Sequence, residues 1–131
     1  MRKELKQSSP AKGDEAKTEA AAGGVTHDPE PFIQGVQRLM WEKVGIVRSR
    51  QSLTEAIEFL QKAGQELPAP TSRRSCEGRN IHTAAQLIAR SAAARLESRG
   101  AHYRTDYPEH DDAKFRKHSI VGEKGVRFVW P

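Results

Sequence analysis

Between Ile33 and Leu96 the apolar residues recur at intervals of three and four in three separate runs, the period of a helix and not of a half-buried strand. Each run therefore predicts an amphipathic helix, and three such helices must bury their stripes on one another. The first stripe is Ile33, Val36, Leu39, Met40, Val44 and Val47. It follows Asp28-Pro29-Glu30-Pro31, which supplies a capping carboxylate, proline for the first turn and an acid that complements the helix dipole. The predicted helix covers 31–48, and Gly45 within it weakens it by up to about 1 kcal/mol. The second stripe is Leu53, Ala56, Ile57, Leu60 and Ala63, behind a capping-box pattern at Ser52-Leu53-Thr54-Glu55. Pro68 and Pro70 end it, which gives 53–66. The third is Ile81, Ala84, Ala85, Ile88, Ala92 and Leu96, predicted over 77–98. Gly100 suits the left-handed position after its last turn, and Arg95 and Arg99 suit its negative end.

Residues 1–30 have no aromatic residue, and Leu5 and Val25 are their large aliphatics, so this stretch predicts a disordered tail or linker. Beyond Ala101 the periodicity stops. Tyr107-Pro108-Glu109 suits an extended or turn segment, and 111–118 has room for one helical turn. Ser119–Val121 and Val126–Trp130 flank Gly122-Glu123-Lys124-Gly125, the pattern of a terminal β-hairpin. The expected fold class is all-α: a three-helix bundle over 31–98, a disordered tail, and an irregular extension over 99–131 with room for a short hairpin. Residues 31–131 form the expected domain.

The chain is 36% hydrophobic and 30% charged, which limits the core it can bury to an ordered part of roughly 90–100 residues. A net charge of +5 permits contact with nucleic acid or acidic lipid but does not require it. The single cysteine, Cys76, excludes an internal disulfide and points to an intracellular protein. No apolar run approaches the ~18 residues of a membrane span. A soluble, cytoplasmic protein is the expectation, with no membrane partner.

Chemistry-bearing patterns are weak. His102, His110 and His118 are spaced by eight, beside Asp111 and Asp112, whereas ligands on one helix face lie four apart. Cys76 lies near Arg73 and Arg74, which favour a thiolate, but no signature of a catalytic cysteine accompanies it. Glu109, Asp111 and Asp112 read as a solvated turn. Arg73, Arg74 and Arg79 lack the interleaved aromatics that would stack on bases, so nucleic acid is not an expected partner. No GxGxxG follows a strand, so nothing cradles a pyrophosphate.

Three blocks carry a resemblance. Met40-Trp41-Glu42-Lys43-Val44-Gly45-Ile46-Val47-Arg48 comes first. Glu77-Gly78-Arg79-Asn80 with Ala85-Gln86-Leu87-Ile88-Ala89-Arg90-Ser91-Ala92 comes second. The most specific runs from Arg95 to Pro108, RLESRGAHYRTDYP. In this order, across residues 32–121, they resemble the C-terminal helical domain of the L-aspartate oxidase and succinate dehydrogenase/fumarate reductase flavoprotein family. The MWEKVGIVR wording and the tyrosine after His102 are nearer the oxidase branch. Asp111-Asp112, Phe115 and Lys117-His118 are similar to both. Gly78 departs from the larger residue that the family places there.

The resemblance implies a parent enzyme in which FAD takes a hydride from L-aspartate to give iminoaspartate for NAD synthesis. It implies no catalytic, cofactor-binding or metal-binding residue in this sequence, since those of the family lie in its flavin-binding part. The chain alone is expected to bind no FAD and to be inactive. The residues that match the signature are Arg48, Arg79, Asn80, Arg99, Gly100, His102, Arg104 and Asp106, and their implied role is to fix the chain for docking on an FAD-binding domain or subunit. The alternatives are a stand-alone, non-catalytic helical interaction module and the equivalent domain of a succinate dehydrogenase or fumarate reductase flavoprotein. Phe32, Trp41, Leu87 and Ala94 exceed what a minimal core needs. They predict an exposed apolar patch, unless the terminal hairpin covers it through Phe128 and Trp130.

Overall fold

A computed structural model describes residues 28–130. The tail expected over 1–30 lies outside the described residues as far as residue 27. Three helices make the body: α1 Glu30–Val44, α2 Arg50–Gln65 and α3 Arg73–Ala94. Arg74 at the start of α3 pairs with Glu30 at the start of α1, and Gly78 lies against Ile33. These two helices therefore run side by side in one direction. α2 runs back against both: Lys43 of α1 reaches Glu55, and the Leu60 carbonyl meets His82 of α3. Val36, Val44, Leu53, Ala56, Leu60, Ala85, Ala89 and Ala92 close the core between them. The expected three-helix bundle is the observed one.

The helix ends differ from expectation, each for a local reason. α1 stops at Val44 and not at 48. A Cβ at Gly45 would lie 2.8 Å from the Trp41 carbonyl oxygen, so only glycine accepts the backbone that ends the helix there. Val47 then leaves the stripe and stands 62% exposed. It belongs to β1, Val47–Arg48, which pairs in parallel with β2, Tyr103–Arg104. α2 begins earlier because Ser49 is its cap, and Ser52 completes a reciprocal serine box from inside the first turn. Glu55 instead accepts from Lys43 and Gln51. The same serine pairing, Ser72 with Ser75, starts α3 before residue 77.

The buried face of α3 is also rotated from the expected stripe. Gly78, His82, Ala85, Ala89 and Ala92 face inward, while Ile88 and Leu96 are 49% and 40% exposed. α3 packs against two helices at once, and its small residues bring both backbones close, which leaves its larger aliphatics at the margin. α3 ends at Ala94, so Gly100 is not its C′ residue. Gly100 has φ +58 in a two-residue turn, across which Arg99 and His102 exchange both backbone hydrogen bonds.

The extension carries α4, Asp112–Phe115, and the expected hairpin, β3 His118–Gly122 with β4 Gly125–Val129. Phe128 of β4 packs edge-on to Phe115 at 4.9 Å between ring centroids. The side chain of Arg95 binds this unit to the end of α3, donating to the Phe115 and Lys117 carbonyls at 2.7 and 2.8 Å and to the Ser119 hydroxyl.

Candidate docking site and its polar frame

Two arginines take over the backbone carbonyls left free where α1 and α3 end. Arg104 is 1% exposed. Its Nη1 donates to the carbonyls of Ala92, Ala93 and Arg95 at 3.2, 3.4 and 3.2 Å, which caps the C-terminus of α3. Its other edge grips Asp106 through Nε and Nη2 at 2.8 and 2.6 Å, and its guanidinium stacks on Tyr107. That cation holds the Asp106 carboxyl below its ordinary range. Arg48 does the equivalent for α1: its Nε donates to the Val44 and Gly45 carbonyls at 3.2 and 2.6 Å.

His102 links the two caps. Arg48 Nη1 lies 2.6 Å from His102 Nδ1, and His102 Nε2 lies 3.3 Å from the Arg95 carbonyl. An arginine can only donate, so Nδ1 accepts and the proton sits on Nε2. Burial, and then the charges of Arg48, Arg104 and Arg95, outweigh the carbonyl contact and push the imidazole below its ordinary value, so it stays neutral.

Glu97, 0% exposed, is the anionic counterpart. It accepts from Arg95 Nη1 at 2.6 Å, from Arg99 Nε and Nη2 at 2.8 and 2.9 Å, and from the Asp111 N–H at 2.8 Å. Burial alone would raise its carboxyl. The bonds from Arg99, Asp111 and Arg95 overcome that and hold it at about 2. Arg99 continues to Asp112, and its own guanidinium is raised by both carboxylates.

Of the residues carried by the resemblance, Arg48, Arg99, Gly100, His102, Arg104 and Asp106 thus meet at one end of the bundle. Arg79 and Asn80 do not. Arg79 binds the Leu67 and Pro68 carbonyls and fastens the α2–α3 loop, and Asn80 is exposed on α3. Sequence reasoning passed over Glu97, Arg95 as a tie to the hairpin, and His82, which is 7% exposed with Nε2 at 2.7 Å from the Leu60 carbonyl. Glu97 lies inside the most specific block, flanked at two residues on either side by arginines. That spacing is the available signal.

Beside this frame lies an apolar surface. Trp41 is 84% exposed, Ile46 64%, Val47 62% and Leu87 44%. Between α1 and α3, Met40, Trp41, Ile81, Ala84 and Ile88 line a groove of about 480 Å³. Ile88 also lines a second hollow of about 360 Å³, with Leu87, Arg48, Arg95 and His102 around it. The apolar groove therefore leads to the polar frame. The hairpin leaves this surface open, and Trp130 is itself 64% exposed. Phe32 and Ala94 are the exceptions to the expected patch: both are half-buried, and Phe32 is tilted against the His82 ring at 5.9 Å.

Among the described residues no group of three or more His, Cys, Asp or Glu side chains converges as a metal would need. Cys76 is exposed. Among the described residues no helix is long and apolar enough to cross a membrane. The parallel pair β1–β2 is two residues long and opens into no glycine-rich loop, so these residues do not fit the pyrophosphate of FAD.

The fold is a three-helix bundle with an open apolar face beside a charged end. Residues 33–129 match the family of fumarate reductase flavoprotein C-terminal domains, and the chain belongs to that family of FAD-dependent flavoproteins. It is 38% identical to the chloroplastic L-aspartate oxidase of Oryza sativa over 97 residues, 66% of this chain but 15% of the rice protein. It is 34% identical to the succinate dehydrogenase flavoprotein subunit of Coxiella burnetii, over 75% of this chain and 19% of that subunit. The Mycobacterium smegmatis Sdh1 complex in its apo form contains a similar structure, with a TM-score of 0.59 and 28% identity, over 79% of this chain and 20% of that one. The chain thus spans less than a fifth of the length of these curated relatives.

Proposed function

We propose that this chain is the C-terminal helical domain of an L-aspartate oxidase, the flavoenzyme that oxidises L-aspartate to iminoaspartate for NAD synthesis. Residues 31–131 are the domain and 1–30 a tail or linker. Its work is to buttress a flavin-binding domain, whether joined to it or supplied as a separate chain, and it brings no redox group of its own. The observation that carries this is the apolar α1–α3 face, with Trp41 84% exposed, set beside a polar frame that fixes the helix ends. Such a frame holds a docking face in one geometry, and in catalysis small displacements cost large rate factors. Several relatives named L-aspartate oxidase support the branch, among them that of Pseudomonas aeruginosa at 40% identity over 79 residues. The proposed location is the cytoplasm, which cell fractionation tests.

A second reading, the same domain of a succinate dehydrogenase flavoprotein, is favoured by the longer match to the Coxiella subunit. One experiment separates them. The chain is co-expressed with the P. aeruginosa oxidase cut before its own C-terminal domain. A yellow complex that turns over L-aspartate and not succinate is expected. Preference for succinate supports the second reading, and a chain that is never recovered with flavin overturns both. Purified alone, the chain is expected to show no flavin absorbance band.

A further inference from the structure

Arg95, Arg99 and Arg104 each meet a carboxylate within 4 Å. Arg48, equally drawn into the frame, meets none among the described residues. Its Nε is committed to the Val44 and Gly45 carbonyls and its Nη1 to a neutral imidazole, while Nη2 has no hydrogen-bond partner there. Arg104 adds repulsion, and burial with that charge lowers the Arg48 guanidinium from its usual value. A half-buried guanidinium held by dipoles alone is a cation without its counter-ion. It opens onto the 360 Å³ hollow that it shares with Leu87, Ile88 and His102, at the end of the apolar groove. We propose that the segment docking on the α1–α3 face carries an aspartate or glutamate whose carboxylate enters this hollow and pairs with Arg48.

This rests on the docking function proposed above, and it names the chemistry of the contact. The occupant is a protein side chain and not a free anion, because the hollow adjoins, at Ile88, the groove lined by Trp41, Met40 and Ile81, which takes apolar groups beside the charge. Leucine or aromatic neighbours of the acidic residue would fill the groove. Their burial would strengthen the ion pair by excluding water from it.

The test uses the full chain and the P. aeruginosa oxidase cut before its C-terminal domain. Binding is measured at low and high salt for the native chain and for Arg48→Met. Arg48→Lys is treated with a carbodiimide, which activates a carboxylate so that the lysine Nζ displaces the activating group and forms an amide. The expected results are at least about tenfold weaker binding for Arg48→Met with a flatter salt dependence, and an Arg48→Lys peptide linked to one partner aspartate or glutamate. Trp41→Ala, at an exposed position, should weaken binding without flattening the salt dependence, and it covers the case in which Arg48→Met unfolds. A complex that forms with Arg48→Met at native affinity, or in which the lysine variant links to no partner carboxylate, overturns the ion pair alone. Failure of the native chain to bind overturns the docking function as well. Binding of free L-aspartate or succinate by the isolated chain, lost in Arg48→Met, would assign the carboxylate to a small molecule and overturn the proposal.

Discussion

Glu97 shows how one side chain decides whether the polar frame holds. Its carboxylate is 0% exposed and has four donors, so removing its charge strands Arg95 and Arg99 around a neutral amide. Glu97→Gln should therefore cost roughly 3 kcal/mol in a denaturant titration, the scale of breaking a buried ion pair from one side. The pH dependence follows from the direction of the shift. A folded value of about 2 lies below the ordinary 4.5, so the unfolded chain binds the proton more readily. Glu97 stabilises fully above about pH 4.5, and that contribution disappears as the pH falls toward 2. His102 has the same sign from another cause. Its lowered value means that the unfolded chain protonates first, so stability begins to fall below the ordinary 6.5. Thermal melts at stepped pH should show the first loss below 6.5 vanish in His102→Gln while the second persists. Identical profiles for the two proteins would show that His102 titrates freely.

At the scale of helices, two glycines should respond oppositely to alanine. A Cβ at Gly78 would meet Ile33 Cγ1 at 3.4 Å, an ordinary contact, in the interior of α3. Gly78→Ala should stabilise by up to about 1 kcal/mol, since it gains helix propensity and a neighbour. A Cβ at Gly64 would lie 2.7 Å from His82 Cε1, and His82 is anchored on the Leu60 carbonyl. Gly64→Ala should cost about 1–2 kcal/mol despite the better propensity. Two urea curves that move the same way would contradict this packing. The three helices were legible in the sequence because their stripes are long and periodic. The terminal hairpin was legible because glycines bracket it. The rotation of α3 was not: alanine weighs less than isoleucine in any apolar pattern, yet close packing of two helices on one selects the alanines. The parallel pair of Val47–Arg48 with Tyr103–Arg104 was also hidden, because it is two residues long and joins segments over fifty positions apart. The docking set was read from wording and not from contacts, so it gathered Arg79 and Asn80 with residues they do not meet.

For the molecule as a whole, the buried core is built from alanines as much as from leucine and valine, while Trp41, Ile46, Val47, Leu87 and Ile88 stay outside it. Trp41, Leu87 and Ile88 line the two adjoining hollows at α1 and α3, the face on which the proposed docking would take place. The most direct test is side-chain oxidation footprinting of the chain alone and in complex with the truncated P. aeruginosa oxidase. Trp41, Leu87 and Ile88 should become protected in the complex, while Phe59, 49% exposed and outside both α1–α3 hollows, stays reactive. Protection of Phe59 with Trp41, Leu87 and Ile88 unchanged would place the interface elsewhere and contradict the docking role of the α1–α3 face.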